Sequence, residues 1–332
     1  MTIYNINGIP EEVELKNITA KEGFYVVQEQ LDNFIYRGGE KVSEIESMCF
    51  ELRTLLAIKI FGSAQEYYRI VEHPIYYFVA QAGIDADVRI SKKEFEEFVL
   101  QYPDKETLYK MLYFFDIDNV IGTLQNCMVE TKFAVGEFYK QLNINSFSVI
   151  ENRFINEDGI QYSSGGVVAN ITSLVNRIFI CLYSMLDFIT KIAHEVEALQ
   201  TDFTSYPKLK SKETVLGYAK KTTFHEMKNT LFERTDTRKM IEFLRNEIIH
   251  NASIDSLPKV YQRVEANKIV EKFILLPDFS NGIIETYINR KRFYTVDTKL
   301  NEILPDIIND YFTRLSFTLQ QINKYCNSDN KA

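Results

Sequence analysis

The chain has 332 residues, enough for two ordinary domains or one elaborated one. Its 45% hydrophobic and 25% charged residues are those of a folded globular protein, and only 13 glycines and 7 prolines argue for long helices and against a many-turned all-β fold. A net charge of −8 excludes bulk attraction to nucleic acid, so any such binding has to come from a local patch.

The N-terminus, Met1 to Gly8, lacks the basic region and apolar core of a signal peptide. Residues 1–38 mix short β-like runs with polar residues, and Gly38-Gly39 punctuates their end. From Glu40 to about Tyr68, apolar residues such as Ile45, Cys49, Leu52 and Leu56 recur at three and four, which predicts a helix that His73-Pro74 breaks. Ser91 followed by Glu94 is a capping-box pattern that opens the next helix, and Tyr102-Pro103-Asp104 closes it. A further helical stretch runs from about Lys105 to Leu142, with a break expected near Asp116-Ile117-Asp118. Phe147 to Ile155 reads as a strand, 156–159 as a turn and Ser163 to Gly166 as a junction.

The next helix, about Val167 to Leu199, has an apolar majority and a polar stripe of Asn176, Tyr183, Asp187 and His194. The stripe is either a solvent face or a seam turned toward a groove. The most apolar run, Ile178 to Leu186, is short of the roughly 20 residues that span a bilayer. No membrane partner is expected. The four cysteines, Cys49, Cys127, Cys181 and Cys326, show no CxxC spacing, so no metal site of the usual kind is expected, and a reducing, cytoplasmic setting fits.

From Pro207 to Arg245 ten basic residues face five acidic ones, a local +5 in an acidic chain. A helix is expected over about Ser211 to Leu231. Thr235 or Asp236 then caps a helix from about Thr237 to Ala252. Lys268 to Leu276 and Ile283 to Tyr294 read as a β-hairpin turning at Asn281-Gly282, the second strand bearing Arg290-Lys291-Arg292. A final amphipathic helix covers about Asp297 to Tyr325, kinked near its start by Pro305.

The helix around Arg245 carries the chemistry. Met240, Ile241, Leu244, Ile248, Ile249 and Ala252 form its apolar arc, while Asn246 and His250, four apart, share a polar face. Arg245 falls at the edge of the apolar arc, where a permanent charge is costly unless paired with an acid such as Asp187 or with an anionic ligand. An arginine, an amide and an imidazole within two turns suit metal-free cleavage of RNA. The 2′-hydroxyl is the nucleophile, histidine carries the proton, and the planar guanidinium holds the charged phosphorane.

Arg245-Asn246-Glu247-Ile248-Ile249-His250 resembles the Arg-x4-6-His motif of the HEPN superfamily, with Asn following Arg. The resemblance covers roughly the C-terminal half. It implies a HEPN-like helical bundle over 146–332; the residue pattern adds a β-hairpin near 268–294 and a mostly helical region over 1–145 of unknown role, so the expected fold is mainly α. The resemblance also implies a homodimer whose paired motifs form one composite endoribonuclease site, in the manner of toxins and phage-defence effectors. Arg245 and His250 would be catalytic, Asn246 would orient substrate or His250, and Asp187 would be the polar residue of the neighbouring helix. Lys220, Lys221, Lys228 and Arg238 are the expected RNA contacts, with tRNA or mRNA as substrate, an antitoxin protein as a further partner, and no cofactor or metal. The competing expectation is a non-catalytic HEPN-like module that senses a nucleotide, an anion or a partner protein.

Overall fold

Apolar residues at three- and four-residue spacing dominate the chain, and the structure is accordingly mainly helical. The computed structural model describes residues 2–12, 24–29, 31–35, 39–147, 158–251 and 253–328. Its strands form three small antiparallel sheets. The chain divides into two compact units, each gathered from separate stretches: Met1–Val42, Cys127–Ser184 and Arg234–Arg314 in the first, and Ser43–Asn126, Met185–Glu233 and Leu315–Ala332 in the second. Neither unit begins or ends at residue 145.

The second unit holds most of α1 (Gly39–Phe61), all of α2 (Ala64–Val71), α3 (Pro74–Gln81) and α4 (Lys92–Gln101), and the first part of α5 (Lys105–Ile144). The helix expected to run unbroken to Tyr68 is in fact two. Gly62 leaves α1 at φ +85, a left-handed turn that glycine adopts without a steric penalty, and Ser63 caps α2 by accepting the Glu66 N–H. The capping box is present, with Ser91 and Glu94 each bonding the other's backbone. Phe95, Phe98 and Val99 of α4 then pack on Val79, Leu108 and Leu112.

The break expected at Asp116–Asp118 is absent, and α5 runs for 40 residues. Both carboxylates are satisfied by side chains, Asp116 by the Tyr206 hydroxyl and Asp118 by Arg53, so neither competes for the helix backbone. The helix expected over Ser211 to Leu231 is also absent. Only Leu216–Lys221 forms a short 3-10 helix, and the rest is turns. The cause lies on α6 (Gly166–Glu197), whose acids hold the backbone of this segment. Ser211 N–H donates to Glu195 (3.0 Å), Leu216 N–H to Asp187 (2.6 Å) and Thr223 N–H to Glu197 (2.7 Å). Donors held this way cannot join a helix ladder.

The first unit begins with a sheet ordered β2 (Glu11–Glu12), β1 (Thr2–Tyr4), β3 (Phe24–Glu29), β4 (Leu31–Ile35), in keeping with the β-like runs read there. The strand expected over Phe147 to Ile155 falls mostly outside the described residues. A second sheet joins β5 (Gly159–Ser163), β6 (Val260–Glu265) and β7 (Lys268–Phe273). The long hairpin expected across Asn281-Gly282 is therefore corrected. Lys268 to Phe273 pairs instead with Val260–Glu265, whose alternating burial was overlooked, through a turn with Ala266 and Asn267 at φ 48 and 61. Asn281-Gly282 does turn a hairpin, but only a small one, between β8 (Phe279–Ser280) and β9 (Ile283–Ile284).

Helices α7 (Asp236–Asn251) and α8 (Leu300–Ser328) complete the fold. On length and composition α6 is apolar enough to cross a membrane, which Ile178 to Leu186 alone did not suggest. Its apolar face, including Ile171, Ile178, Phe179, Leu182, Ile189 and Ile192, is fully buried in the protein. Cys181 is buried as expected, but it is not isolated. Its free thiol donates to Glu130 at 3.5 Å and neighbours the free thiol of Cys127.

Candidate active site on helix α7

Helix α7 is fixed at both ends. Thr235 is the cap, accepting the Arg238 N–H at 3.2 Å. Next to it, Gly282 (φ +73) presses so closely on Asp236 that a Cβ would lie 2.8 Å from its backbone. Lys239 donates to the Asn281 carbonyl at 3.1 Å, and Phe243 meets Phe279 edge-on. At the other end the Glu247 carboxylate accepts the Asn251 amide (2.9 Å) and pairs with Lys291 (3.4 Å) and Arg292 (3.5 Å). Arg292 also donates to the Ile254 carbonyl at 2.5 Å.

At about 100° per residue, the motif unrolls around the helix in a definite order. Leu244, Ile241 and Ile248 are buried in the core. Arg245 comes next and is half-buried; Ile249, Asn246 and His250 follow on the exposed arc; Glu247 closes it and is buried. Ala252 lies outside the described residues.

Arg245 was expected to pair with an acid such as Asp187 or with an anionic ligand; the neighbours it has among the described residues are instead an aromatic ring and an amide. Its guanidinium lies 4.5 Å from the centroid of the Tyr183 ring on α6 and donates to the Asn246 amide oxygen at 3.0 Å. A π face and an amide oxygen orient a guanidinium without neutralising it, so its charge remains available to an anion. Asn246 thus orients Arg245. His250 is exposed, and its ring has no hydrogen-bond partner among the described residues.

Asp187, expected near the motif, belongs to the second unit and accepts the Leu216 N–H. His194, on the same stripe of α6, meets the Tyr218 carbonyl at 3.1 Å. The stripe is not a bare solvent face. At Asp187 and His194 it packs the segment that follows α6, and at Tyr183 it supports Arg245.

Lys220, Lys221 and Lys228 are exposed in the second unit, with Lys221 4.4 Å over the Tyr218 ring. Arg238 belongs to the first unit and is paired with Glu242 at 3.0 Å, its side chain only 15% exposed, so it is not a free phosphate contact. The cations bound to the motif helix come instead from Lys291 and Arg292. Both stood in the sequence as strand residues, and Glu247 passed for a spacer. The signal available was an acid four residues before Asn251 on an otherwise apolar flank, next to an Arg-Lys-Arg run.

Asn246 and His250 lie on the exposed surface of α7. The groove of about 750 Å³ lined by Ile90, Phe95, Val99 and Tyr206 belongs to the second unit and includes none of the candidate residues. Among the described residues, no three His, Cys, Asp or Glu side chains converge as a metal site. No protein-family model matches the chain, and no curated protein or solved structure is significantly similar to it.

Proposed function

We propose that the chain is a metal-independent endoribonuclease of the HEPN type, acting as a toxin or phage-defence effector. The observation that carries this reading is the state of Arg245: a half-buried guanidinium, aimed by Tyr183 and Asn246, uncompensated by either, on the helix whose exposed arc carries the imidazole of His250. In this reading two copies of α7 face each other across a twofold axis. One His250 removes the 2′-hydroxyl proton, the other protonates the departing 5′-oxygen, and the two Arg245 side chains hold the phosphorane oxygens. Asn246 positions Arg245.

The test is incubation of the purified chain with total RNA in EDTA, beside His250→Ala. Cleavage by the wild type alone, leaving 2′,3′-cyclic phosphate and 5′-hydroxyl ends, is the expected result. Identical, undetectable cleavage by both proteins overturns the proposal. One observation favours the second reading, a non-catalytic anion-sensing module: no described residue holds the His250 ring in place. On that reading the chain is a monomer in solution, and Arg245→Ala abolishes anion binding without any cleavage to lose.

A further inference from the structure

After β9 the chain runs through Tyr287-Ile288-Asn289-Arg290-Lys291-Arg292-Phe293-Tyr294, three aromatic and three basic residues in a row of eight. Tyr287 and Arg290 exchange two backbone hydrogen bonds, 2.8 and 2.7 Å, which place Ile288 and Asn289 at the apex of a tight turn. Ile288 is 80% exposed and has φ +50. A left-handed backbone is costly for a β-branched side chain, and exposure to water recovers none of that cost. Tyr287 is 67% exposed, and Phe293 and Tyr294 are also on the surface. Arg290 has no side-chain partner among the described residues, and Lys291 keeps half of its side chain in solvent while pairing with Glu247. Arg292 anchors the loop to the last turn of α7.

We infer that this loop binds single-stranded nucleic acid, with phosphates on Arg290 and Lys291 and unpaired bases on Tyr287 and the apex isoleucine. Flat rings flanking a run of cations are the chemistry that holds a single strand, since every base offers a π face and every linkage a charge. A duplex hides its base faces and would meet only the cations. An anionic bilayer is the less suited partner. It would meet the exposed Glu285 and Asp297 together with the cations, and a single apex isoleucine is a small wedge. The inference rests on the endoribonuclease reading only in naming the strand as RNA. Through Glu247 it brings that strand alongside Asn246 and His250.

The test uses the full chain carrying His250→Ala and the fluorescence anisotropy of a labelled, unstructured 20-nucleotide RNA. Controls are its duplex and vesicles of phosphatidylglycerol and phosphatidylcholine. Single strand is expected to bind at least about tenfold more tightly than duplex, with Tyr287→Ala and Arg290→Glu each weakening it about tenfold. Circular dichroism confirms that the variants stay folded. Binding unchanged in both variants overturns the inference, as does vesicle binding that these substitutions abolish in the absence of any RNA binding. RNA cleavage by wild type that Arg290→Glu and Tyr287→Ala leave untouched sinks the loop and keeps the nuclease. Single-strand binding without cleavage by wild type does the reverse.

Discussion

The guanidinium of Arg245 rests 4.5 Å from the centroid of the Tyr183 ring, so the charge at the edge of the α7 core is held by an aromatic face. Such a contact is worth about 0.5–2 kcal/mol. If Arg245 acts on phosphate, Tyr183→Leu should lower kcat/KM for an oligoribonucleotide by roughly twofold to thirtyfold, while Arg245→Ala abolishes turnover. The double variant should be no worse than Arg245→Ala, because Tyr183 works through the arginine. Wild-type turnover in Tyr183→Leu would remove the ring from the site.

Glu247 ties the basic loop to the motif helix. Glu247→Gln keeps a partner for Asn251 but leaves Lys291 and Arg292 facing an uncharged amide. The expected loss is about 1–3 kcal/mol in urea unfolding, since the carboxylate is largely buried. Trypsin should also cut after Arg290, Lys291 and Arg292 several times faster, read by mass spectrometry. Equal digestion rates would mean that the loop is held by its backbone alone.

Asp278 closes the base of the same loop. Its carboxylate accepts the Thr295 hydroxyl (2.5 Å) and N–H (2.6 Å) and the Val296 N–H (3.2 Å). The Thr295 hydroxyl and these amides hold the carboxyl below its ordinary value of 3.8. Between the lowered value and the ordinary one the unfolded chain binds the extra proton, so stability rises with pH there. The contribution is present above about pH 4 and is lost as pH falls through the lowered value. Urea midpoints from pH 2.5 to 5 should therefore rise more steeply in the wild type than in Asp278→Asn. Parallel curves would show that Asp278 does not link the loop to pH.

The elements legible in the sequence were those set by local patterning. The Ser91–Glu94 box, the apolar period of α6 and the Thr235 cap of α7 each depend on residues within a few positions. Some failures are local, as at the Gly62–Ser63 break and the overlooked strand Val260–Glu265, and others involve distant partners. Ser211 to Leu231 reads as a helix until Asp187, Glu195 and Glu197 take three of its backbone donors. Lys268 to Phe273 reads as half of one hairpin until Val260–Glu265 proves the better partner. At the site, Asn246 and His250 were legible because four residues separate them on one helix. The support of Arg245 by Tyr183 and of the loop by Glu247 joins residues 62 and 44 positions apart, which periodicity does not encode.

The start of α8 shows how such a distant partner repairs a local fault. Pro305 lies inside the helix and has no N–H, so the carbonyl of Asn301, four residues earlier, loses its ladder donor. The buried Tyr139 hydroxyl donates to that carbonyl at 2.6 Å. The Asn301 side chain, itself fully buried, donates to the Ile6 carbonyl (2.6 Å) and accepts the Ile274 N–H (3.1 Å), so one residue joins the segments that follow β1 and β7 to α8. Tyr139→Phe should cost about 1–3 kcal/mol, the penalty for a buried carbonyl left without a donor. Pro305→Ala restores an N–H at the right place, so in the Tyr139→Phe background it should recover part of that loss, whereas in the wild type it competes for an acceptor already occupied. A double-mutant cycle in urea would then give a coupling energy of at least about 0.5 kcal/mol. Strictly additive effects would mean that the hydroxyl and the proline act on the helix independently.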